Sequence, residues 1–365
     1  MVCPYTLMTL YTIFRILSSK STFFTILCDK CRTPYANFII KGTLKMTPFE
    51  LFLAILLPLV GLLGLLALAF ALALRYVFRR VFYSPPDHKE DPFDLFENEK
   101  YASRKGEMMP LIEELMAHPY EEVSIRSHDN LTLYARYYHI QDGAPVDIMC
   151  HGYRGSAIRD FCGGARFSRQ MGHNILLIDQ RAMGKSEGTA ITFGILERYD
   201  VLDWIHYIIG RFGETQEIYL YGISMGGATV VMCRSLDLPE NVKGIFADCP
   251  YDTPYNIIEK VACSKGFPKG ATMRLISLSA KLLGHFHLEE CDCVRAMQCE
   301  SKVPVYLVHG TADTFVPSYM SENIHKANPD GSHLLLIDGA DHGMAFMTAP
   351  DRYRAFVDAF VQGEK

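Results

Sequence analysis

The ten residues Ile-Tyr-Leu-Tyr-Gly-Ile-Ser-Met-Gly-Gly at 218–227 decide the fold. An apolar run leads into Gly222, Ser224 and Gly226, and a helical pattern begins at Met225. A strand, a sharp turn and a helix in this order hold a serine in a strained conformation, and the glycines keep side chains from colliding with the turn. The stretch therefore predicts that Ser224 is a nucleophile. It also predicts that the amide of Met225, at a helix N-terminus, stabilises an oxyanion.

A second match to the pattern Gly-x-Ser-x-Gly lies at 184–188, with Ser186 at its centre. This match lies in a loop several residues beyond its strand, and no helix follows it at once, so Ser224 is the favoured nucleophile. The same loop contains Gly-Lys-Ser. Asp179 stands where a phosphate-binding loop needs its first glycine, which argues against a nucleotide site.

A serine hydroxyl needs a general base, and the base needs a carboxylate that orients it. His342 follows the apolar run 334–337 and is the predicted base. Asp313 follows the apolar run 305–308 and is the predicted acid. Because both follow strands that should be parallel to the strand before Ser224, the three side chains are expected at one edge of the sheet.

Two other carboxylates are alternatives for the acid. Asp341 is adjacent to the predicted base in sequence, which is a poor geometry for reaching its far ring nitrogen. Asp248 follows an earlier strand and is a lesser possibility. His309 and His333 each adjoin a strand and are expected to be structural.

The second oxyanion donor should come from the loop after an early strand. The segment His-Gly-Tyr-Arg-Gly at 151–155 follows the apolar run 146–150, and its glycines let the backbone turn closely. We therefore expect the amide of Tyr153 to be this donor, with each donor stabilising the transition state by about 3 kcal/mol.

Short apolar runs alternate with helical patterns through the C-terminal two thirds of the chain. A hairpin is predicted from two alternating runs on either side of a turn at 128–130, and six further strands follow in βαβ units. The predicted strands lie at 122–127, 131–138, 146–150, 175–178, 218–221, 244–247, 305–308 and 334–337. The pattern indicates an α/β fold with a mostly parallel eight-stranded sheet and helices on both faces. The interval between the strands at 244–247 and 305–308 is too long for one crossover, so residues 250–303 are predicted to form a small helical cap over the site.

Residues 51–74 read LFLAILLPLVGLLGLLALAFALAL and contain no charged side chain. As a helix this run would span about 36 Å, which exceeds the ~30 Å hydrocarbon core of a bilayer. A helix buried in a soluble protein needs a polar face, and a cleaved signal peptide has a shorter apolar region followed by small residues. The sequence therefore predicts one N-terminal transmembrane anchor at 46–81, with its span at 51–74.

Arg75, Arg79 and Arg80 follow the span directly. Under the positive-inside rule, this charge predicts a single-pass protein of the cell membrane whose C-terminal part lies in the cytoplasm. Basic residues within 1–45 compete with that bias. Because 1–45 shows no clear periodicity and Met46 resembles a natural start, residues 1–45 are interpreted as an unstructured upstream extension.

The rest of the chain divides into two parts. Residues 82–118 are polar and then helical, and they are predicted to be a juxtamembrane linker and helix. Residues 119–365 contain all the predicted strands and form the expected catalytic domain, which includes the cap.

Composition narrows the choice of partners. The formal charge is −5 and no basic run is interleaved with aromatic residues, so nucleic acid is not an expected partner.

The eleven cysteines are irregularly spaced: the pair Cys28 and Cys31 lacks a second pair, and Cys291, Cys293 and Cys299 form a second cluster. Reduced thiols are the expected state. Triad chemistry requires neither a metal nor an organic cofactor, and no feature of the sequence indicates an oligomeric state.

Five motifs together resemble a known family. They lie at 151–155, 179–186, 222–227, 309–317 and 341–343. Over about residues 50–365 the chain is similar to α/β-hydrolases of the serine aminopeptidase (S33) and prolyl-oligopeptidase-like group. More narrowly, it resembles the single-span, membrane-anchored bacterial hydrolases of Firmicutes. One departure is Ala182, where this group more often has glycine after arginine, and it lies in a structural loop.

The resemblance implies a nucleophile at Ser224, an acid at Asp313, a base at His342 and oxyanion amides at Tyr153 and Met225. The expected activity is hydrolysis of an ester or amide through an acyl-enzyme intermediate. Esters of small-molecule or lipid-like acyl groups are favoured, because the anchor would hold the site near lipid and the cap contains apolar residues that suit a lid.

Three alternatives remain at this stage. An aminopeptidase needs a carboxylate pair to bind a free amine, and the only nearby candidate is Glu289 with Glu290. An acyltransferase would pass the acyl group to an alcohol instead of water. A non-catalytic scaffold on the same fold is disfavoured, because such proteins usually lose a member of the triad and all three residues are present.

Overall fold

The computed structural model describes residues 47–85 and 104–363. The predicted extension at 1–45 and most of the predicted linker lie outside the described residues. Contacts divide the chain into two compact units, one ending at Leu68 and one beginning at Ala69.

Helix α1 runs from Pro48 to Val81 and is long and apolar enough to cross a membrane. Thr47 caps it: the Thr47 hydroxyl accepts from the Glu50 amide at 3.2 Å, while the Glu50 carboxylate accepts from the Thr47 amide at 2.7 Å. This reciprocal pair is a capping box. No residue in the most apolar window of α1 is buried, as expected for a helix without a polar face. The prediction of one N-terminal helix apolar enough to span a membrane is confirmed.

The eight strands form a single sheet in the order β1-β2-β4-β3-β5-β6-β7-β8. They are β1 (Glu121–Arg126), β2 (Thr132–Tyr138), β3 (Val146–Cys150), β4 (Asn174–Ile178), β5 (Ile218–Ile223), β6 (Val242–Asp248), β7 (Val305–Gly310) and β8 (Ser332–Ile337). The pairs β1–β2 and β2–β4 are antiparallel, and the remaining pairs are parallel. The predicted mostly parallel eight-stranded sheet is confirmed.

The helices of the described part beyond α1 connect these strands. They are α2 (Lys105–Ala117), α3 (Ala157–Gln170), α4 (Glu197–Phe212), α5 (Met225–Met232), α6 (Pro254–Ser264), α7 (Lys269–Ser279), α8 (Cys293–Gln298), α9 (Tyr319–Ala327), α10 (Ala345–Thr348) and α11 (Pro350–Gln362). A 3₁₀ turn at Cys233–Ser235 follows α5, and a π-helical turn at Ala280–Gly284 follows α7.

Both faces of the sheet are buried, because successive side chains of a strand point to opposite faces. Ile148 and Leu220 belong to one apolar cluster, while their neighbours Met149 and Tyr221 belong to the other. Helices α4, α5, α6, α7 and α9 supply residues to the first cluster, and α2, α3 and α11 supply residues to the second. The two layers of helices leave the carboxyl ends of the parallel strands free to carry loops.

The apolar pattern of residues 194–212 predicts a helix over that range, but α4 begins three residues later, at Glu197. The pattern starts at Gly194, but Phe193 and Gly194 adopt positive φ angles of 57° and 85°, which are incompatible with a continuous right-handed helix. The Glu197 carboxylate instead accepts from the amides of Thr192 and Gly194. This local turn displaces the helix start.

The chain between β6 and β7 contains α6, α7, the π-helical turn and α8. The sequence pattern at 273–283 predicts a helix, and the structure has the end of α7 and the π-helical turn there. His285 ends this stretch in the left-handed conformation, with φ 58°. Residues of α6 reach the cleft described below, so this insertion lies beside the predicted site.

Candidate active site

Ser224 lies at a sharp turn between β5 and α5. Its φ and ψ are 56° and −115°, a conformation that costs a non-glycine residue about 1–3 kcal/mol. The Ser224 amide donates to the carbonyl oxygen of Asp248 at 2.8 Å, which ties the turn to the end of the neighbouring strand β6. The turn thus raises the serine side chain above the sheet edge.

The glycines around Ser224 are required by close backbone contacts. A Cβ atom at Gly222 would lie 2.2 Å from the carbonyl oxygen of Gly226. A Cβ atom at Gly226 would lie 1.8 Å from the carbonyl oxygen of Cys150, at the end of β3. Because the obstructing atoms belong to the backbone, a larger residue at either position forces the turn to move.

The three residues of the predicted triad lie within hydrogen-bonding distance of one another. The Ser224 Oγ is 3.0 Å from Nε2 of His342, and Nδ1 of His342 is 2.6 Å from Oδ2 of Asp313. A carboxylate accepts only, so Nδ1 carries a proton and donates it to Asp313. In a neutral imidazole Nε2 is then free to accept the proton of the serine hydroxyl. The geometry is that of a nucleophile, a base and an orienting acid.

Asp313 is held by a dense set of donors. Its Oδ1 accepts from the amides of Phe315 and Val316, each at 2.8 Å. Burial alone would raise the pKa of Asp313, but hydrogen bonds from His309 and His342 outweigh burial, so the pKa lies well below its ordinary value. The carboxylate therefore stays ionised and keeps the base in one tautomer.

His309 also contacts Asp313, and the sequence patterns did not predict this contact. Its side chain is fully buried, and Nε2 lies 2.7 Å from the carbonyl oxygen of Val316 and 3.3 Å from Oδ2 of Asp313. Its Nδ1 lies 2.7 Å from the hydroxyl of Ser321. Since Val316 offers a carbonyl there, Nε2 carries the proton. These contacts of His309 hold the loop that carries Asp313.

The alternative acids lie elsewhere. Asp341 accepts from the amide of His342 through Oδ1 at 2.8 Å, a contact with the backbone of the base. The buried Asp248 has its pKa raised to about 6 by desolvation, which nearby His309 offsets only in part. His333 packs its ring against Tyr306, with the ring centroids 4.3 Å apart. None of these residues occupies the place that Asp313 holds.

Ser186 has a structural environment. Its hydroxyl donates to the carbonyl oxygen of Asp179 at 2.6 Å and accepts from the amide of Tyr134 at 2.9 Å. The side chain is buried beside β2 and contacts no member of the triad. The loop around Ser186 therefore links β2 to the residue that follows β4.

The two predicted oxyanion amides lie on either side of the nucleophile turn. Within the described part of the chain, neither the Tyr153 nor the Met225 amide donates a hydrogen bond. The neighbouring Gly152 amide donates to Oδ2 of Asp160 at 2.8 Å, and Oδ1 of Asp160 accepts from Nε of Arg159 at 3.0 Å. Asp160, four residues into α3, thus fixes the loop that carries the Tyr153 amide. Sequence reasoning did not find it, because its partner is a backbone atom of a separate loop.

Comparisons with known proteins agree with this architecture. The family model described as "alpha/beta hydrolase fold" matches residues 148–262, which run from within β3 through β6 and include the turn at Ser224. The esterase Pf2001 of Pyrococcus furiosus aligns with 68% of this chain and 94% of its own, at a TM-score of 0.55 and 22% identity.

The chain has the α/β-hydrolase fold. The uncharacterized protein YqkD of Bacillus subtilis is 21% identical over 227 residues, 61% of this chain and 74% of YqkD. Thiohydrolase aneE of Aspergillus aculeatus is 29% identical over 136 residues, 36% of this chain and 42% of aneE.

In this α/β-hydrolase fold, the side chain of Ser224 opens onto a cleft of about 630 Å³. Tyr153, Ile223, Phe315 and Met344 supply apolar walls, and Lys260 lies on the cap side. The ammonium of Lys260 donates to the carbonyl oxygens of Thr314 and Phe315, in the loop that follows the acid. Helix α6 of the insertion is therefore attached to the acid loop.

A smaller cavity of about 80 Å³ adjoins the cleft. The two share Ile223, Gly343 and Met344 among their lining residues, and the inner walls of the smaller one include Phe161 and Phe346. Taking about 30 Å³ per water-sized group, the smaller cavity holds roughly three such groups.

Two groups of side chains have the spacing of metal ligands, but other interactions account for both. Cys249 Sγ lies 4.0 Å from His342 Nε2, and burial raises the pKa of this thiol well above its ordinary value, so it is a poor ligand. In the group of His128, Asp200 and Asp203, both oxygens of Asp200 accept from Arg181 at 2.6 Å. The cysteines of the described part, which include the predicted cluster at 291–299, are unpaired. The earlier pair at 28 and 31 lies outside it.

Proposed function

We propose that this chain is a serine hydrolase that cleaves an ester bond through an acyl-enzyme intermediate. The observation that carries the proposal is the unbroken hydrogen-bonded path from Ser224 Oγ through His342 to Asp313, at 3.0 and 2.6 Å. The path starts at a residue held in a strained turn, where its hydroxyl is open to a cleft. That combination is what nucleophilic catalysis by serine requires.

The proposed reaction has two halves. Ser224 Oγ attacks the acyl carbon while His342 Nε2 takes its proton, and the Tyr153 and Met225 amides donate to the oxyanion. Collapse of the tetrahedral intermediate expels the alcohol, which takes the proton from His342. Water then enters, gives a proton to His342 and attacks the acyl-enzyme, and the carboxylate product leaves as Ser224 recovers its hydrogen. Asp313 remains ionised throughout and balances the transient imidazolium.

The cleft favours esters over peptides with a free amino terminus. An aminopeptidase would need carboxylates in the cleft that are free to bind an ammonium group. Glu290 contacts Arg198 at 3.4 Å, and neither Glu289 nor Glu290 lines the cleft. Of the two cleft-lining carboxylates in the described residues, Asp160 is engaged by Gly152 and Arg159. The adjoining cavity is small and its lining is mostly apolar, with Arg159, Asp160 and Asp248 also in its wall, and its apolar part suits the acyl part of an ester.

We further propose that α1 anchors the enzyme in the cell membrane, with the catalytic domain in the cytoplasm. Support comes from the length and hydropathy of α1 and from Arg75, Arg79 and Arg80 at its C-terminal end. The substrate is then a small-molecule or lipid-like acyl compound that reaches the enzyme at or near the membrane.

A fluorophosphonate probe tests the assignment of the nucleophile. Wild type and Ser186→Ala should be labelled, and Ser224→Ala should not, because the probe reacts only with an activated serine. Ser186→Ala is the matched control, since it removes a hydroxyl from the other Gly-x-Ser-x-Gly motif. Labelling of Ser224→Ala, or failure to label folded wild type, would contradict the proposal and would favour a scaffold.

Substrate class is tested separately with p-nitrophenyl esters of two to twelve acyl carbons, matched thioesters and aminoacyl anilides. The short inner cavity predicts the highest kcat/KM for acyl chains of about four carbons or fewer. A preference for aminoacyl anilides would replace esterase with peptidase on the same triad. Product formation that depends on added alcohol would indicate acyl transfer.

A further inference from the structure

One segment of the cap has an unusual charge. Residues 265–288 contain Lys265, Lys269, Arg274 and Lys281 and no aspartate or glutamate. The whole chain, in contrast, has 41 acidic and 36 basic residues. A basic segment within an acidic protein marks a surface suited to anions.

The same segment exposes large apolar side chains. Phe267, Leu282 and Leu283 are 55%, 51% and 43% exposed, whereas Met273 and Phe286 are buried in the core. Helix α7 and the π-helical turn therefore bury one set of apolar residues and present a second set to the surface. Exposed apolar residues next to basic ones are characteristic of elements that lie in a membrane interface.

The segment also packs against the C-terminal end of α1. The rings of Phe82 and Phe286 make an edge-to-face contact with centroids 5.2 Å apart, and Phe82 is fully buried. A Cβ atom at Gly284 would lie 3.0 Å from the Phe78 ring. All these residues belong to the unit that begins at Ala69. The exposed leucines are thus neighbours of the point where the apolar helix ends.

The basic side chains are largely available for a ligand. Lys269, which is exposed, lies 3.5 Å from the half-buried Glu259, a long contact of little energetic consequence. Within the described residues, no ion pair is present at Lys265, Arg274 or Lys281. Lys265 also lines the active-site cleft, so the basic surface is continuous with the mouth of the site.

We propose that this surface docks onto an anionic lipid bilayer. The cap surface is defined by Lys265, Phe267, Lys269, Arg274, Lys281, Leu282 and Leu283. Its apolar side chains enter the headgroup region, and its basic side chains contact lipid phosphates. This goes beyond the hydrolase proposal, and it holds whether or not Ser224 is the nucleophile. Its consequence for the enzyme is that the cleft opens beside the bilayer.

A tryptophan at the cap surface reports docking directly. The chain has one tryptophan, Trp204, which is fully buried, so Leu282→Trp adds a distinct signal. The full-length variant is placed in nanodiscs that contain brominated lipids, with phosphatidylcholine alone or mixed with phosphatidylglycerol. Docking predicts blue-shifted emission that bromine quenches, more strongly with the anionic lipid. The control Met116→Trp, 47% exposed on α2 at the other face of the sheet, should keep solvent-like, unquenched emission.

Charge variants test the electrostatic part. Lys281→Gln should lower the docking equilibrium constant about fivefold in anionic nanodiscs. Lys243→Gln, an exposed position at the start of β6, should leave it unchanged. Solvent-like emission of Leu282→Trp in anionic nanodiscs overturns the proposal, and so does burial of that tryptophan by self-association in detergent without lipid. Equal quenching in both lipids, unaffected by Lys281→Gln, overturns the preference for anionic lipid.

Discussion

At Ser224, the backbone conformation of one residue determines where its hydroxyl points. The φ of 56° is sustained because the Ser224 amide is bound to the Asp248 carbonyl and because α5 starts at the next residue. The strain is local, and the hydrogen bonds and buried strands around it hold the conformation. The hydroxyl then needs only a correctly placed base, which His342 provides at 3.0 Å.

Two buried carboxylates near the site have opposite environments. Asp313 has donors on both oxygens and a lowered pKa, whereas burial raises the pKa of Asp248 to about 6. In the described residues, Asp248 Oδ1 has no hydrogen-bond partner. Environment, rather than residue type, therefore separates Asp313, whose ionised form is stabilised by hydrogen bonds, from Asp248, whose ionised form is disfavoured by burial.

Asp248→Asn should change the pH dependence of stability. The native state binds the proton of Asp248 more tightly than the unfolded state does. The stabilisation that Asp248 contributes to the folded protein is therefore full below about pH 4 and is lost as the pH rises to about 6. Asp248→Asn does not titrate at this position, so it does not undergo this pH-dependent loss of stability. Its free energy of unfolding relative to wild type should rise across that window, by up to about 3 kcal/mol, and level off above it.

Unfolding in detergent at pH 4 to 8 measures this difference. Asp237→Asn, on an exposed turn, is the matched control and should give a constant offset. A difference between Asp248→Asn and wild type that does not vary with pH would contradict the assignment.

At the scale of elements, three strands enclose the turn that carries Ser224. The turn follows β5, the Cys150 carbonyl of β3 lies against Gly226, and the Asp248 carbonyl of β6 accepts from Ser224. A parallel sheet with β3 and β6 on either side of β5 brings these groups together. The acid and the base then come from the loops after β7 and β8.

Gly226→Ala tests how tightly the turn is enclosed. Its new methyl group would lie 1.8 Å from the Cys150 carbonyl oxygen, so the turn must shift and we expect loss of fluorophosphonate labelling. Gly210→Ala in α4 is the control, because nothing lies within 4 Å of its Cβ position. It should keep labelling and gain about 0.5–1 kcal/mol in stability. Normal labelling of Gly226→Ala would show that the turn is more adaptable than these distances imply.

At the scale of the whole molecule, an α/β-hydrolase fold is joined to an apolar N-terminal helix. The last residues of α1 belong to the folded unit: the Tyr153 hydroxyl donates to the Val81 carbonyl at 2.7 Å, and Arg154 donates to the Tyr83 carbonyl at 3.0 Å. Tyr153 carries the proposed oxyanion amide, and Arg154 is the next residue in the chain. The end of the helix therefore contributes to the loop that shapes the site.

The proposed orientation is testable in vesicles. If the catalytic domain is cytoplasmic, protease added to inside-out vesicles should digest it, and protease added to intact spheroplasts should not. The reason is that Arg75, Arg79 and Arg80 resist transfer across the bilayer. A periplasmic reporter protein, protected in the vesicles and exposed in spheroplasts, is the control. Digestion only in spheroplasts would reverse the orientation.

Local patterns in the sequence are enough to predict the fold class, the turn at Ser224 and the residues that meet there. Each depends on local rules: alternation of apolar runs, the need for glycine beside a strained residue, and the position of polar residues directly after strands. The prediction of Ser224, Asp313 and His342 needed only these rules and the order of the motifs. The structure brings the three together, while their roles in catalysis stay a prediction.

Which of the three candidate carboxylates contacts His342 depends on the tertiary structure. The supporting contacts of His309 and Asp160 depend on it as well. Asp313, rather than Asp248 or Asp341, reaches the base because the strand order places the β7 loop beside the β8 loop. The roles of His309 and Asp160 depend on contacts with backbone groups of other loops, which no local pattern encodes. The physical reason is that hydrogen bonds to backbone atoms leave no mark on the partner's residue type.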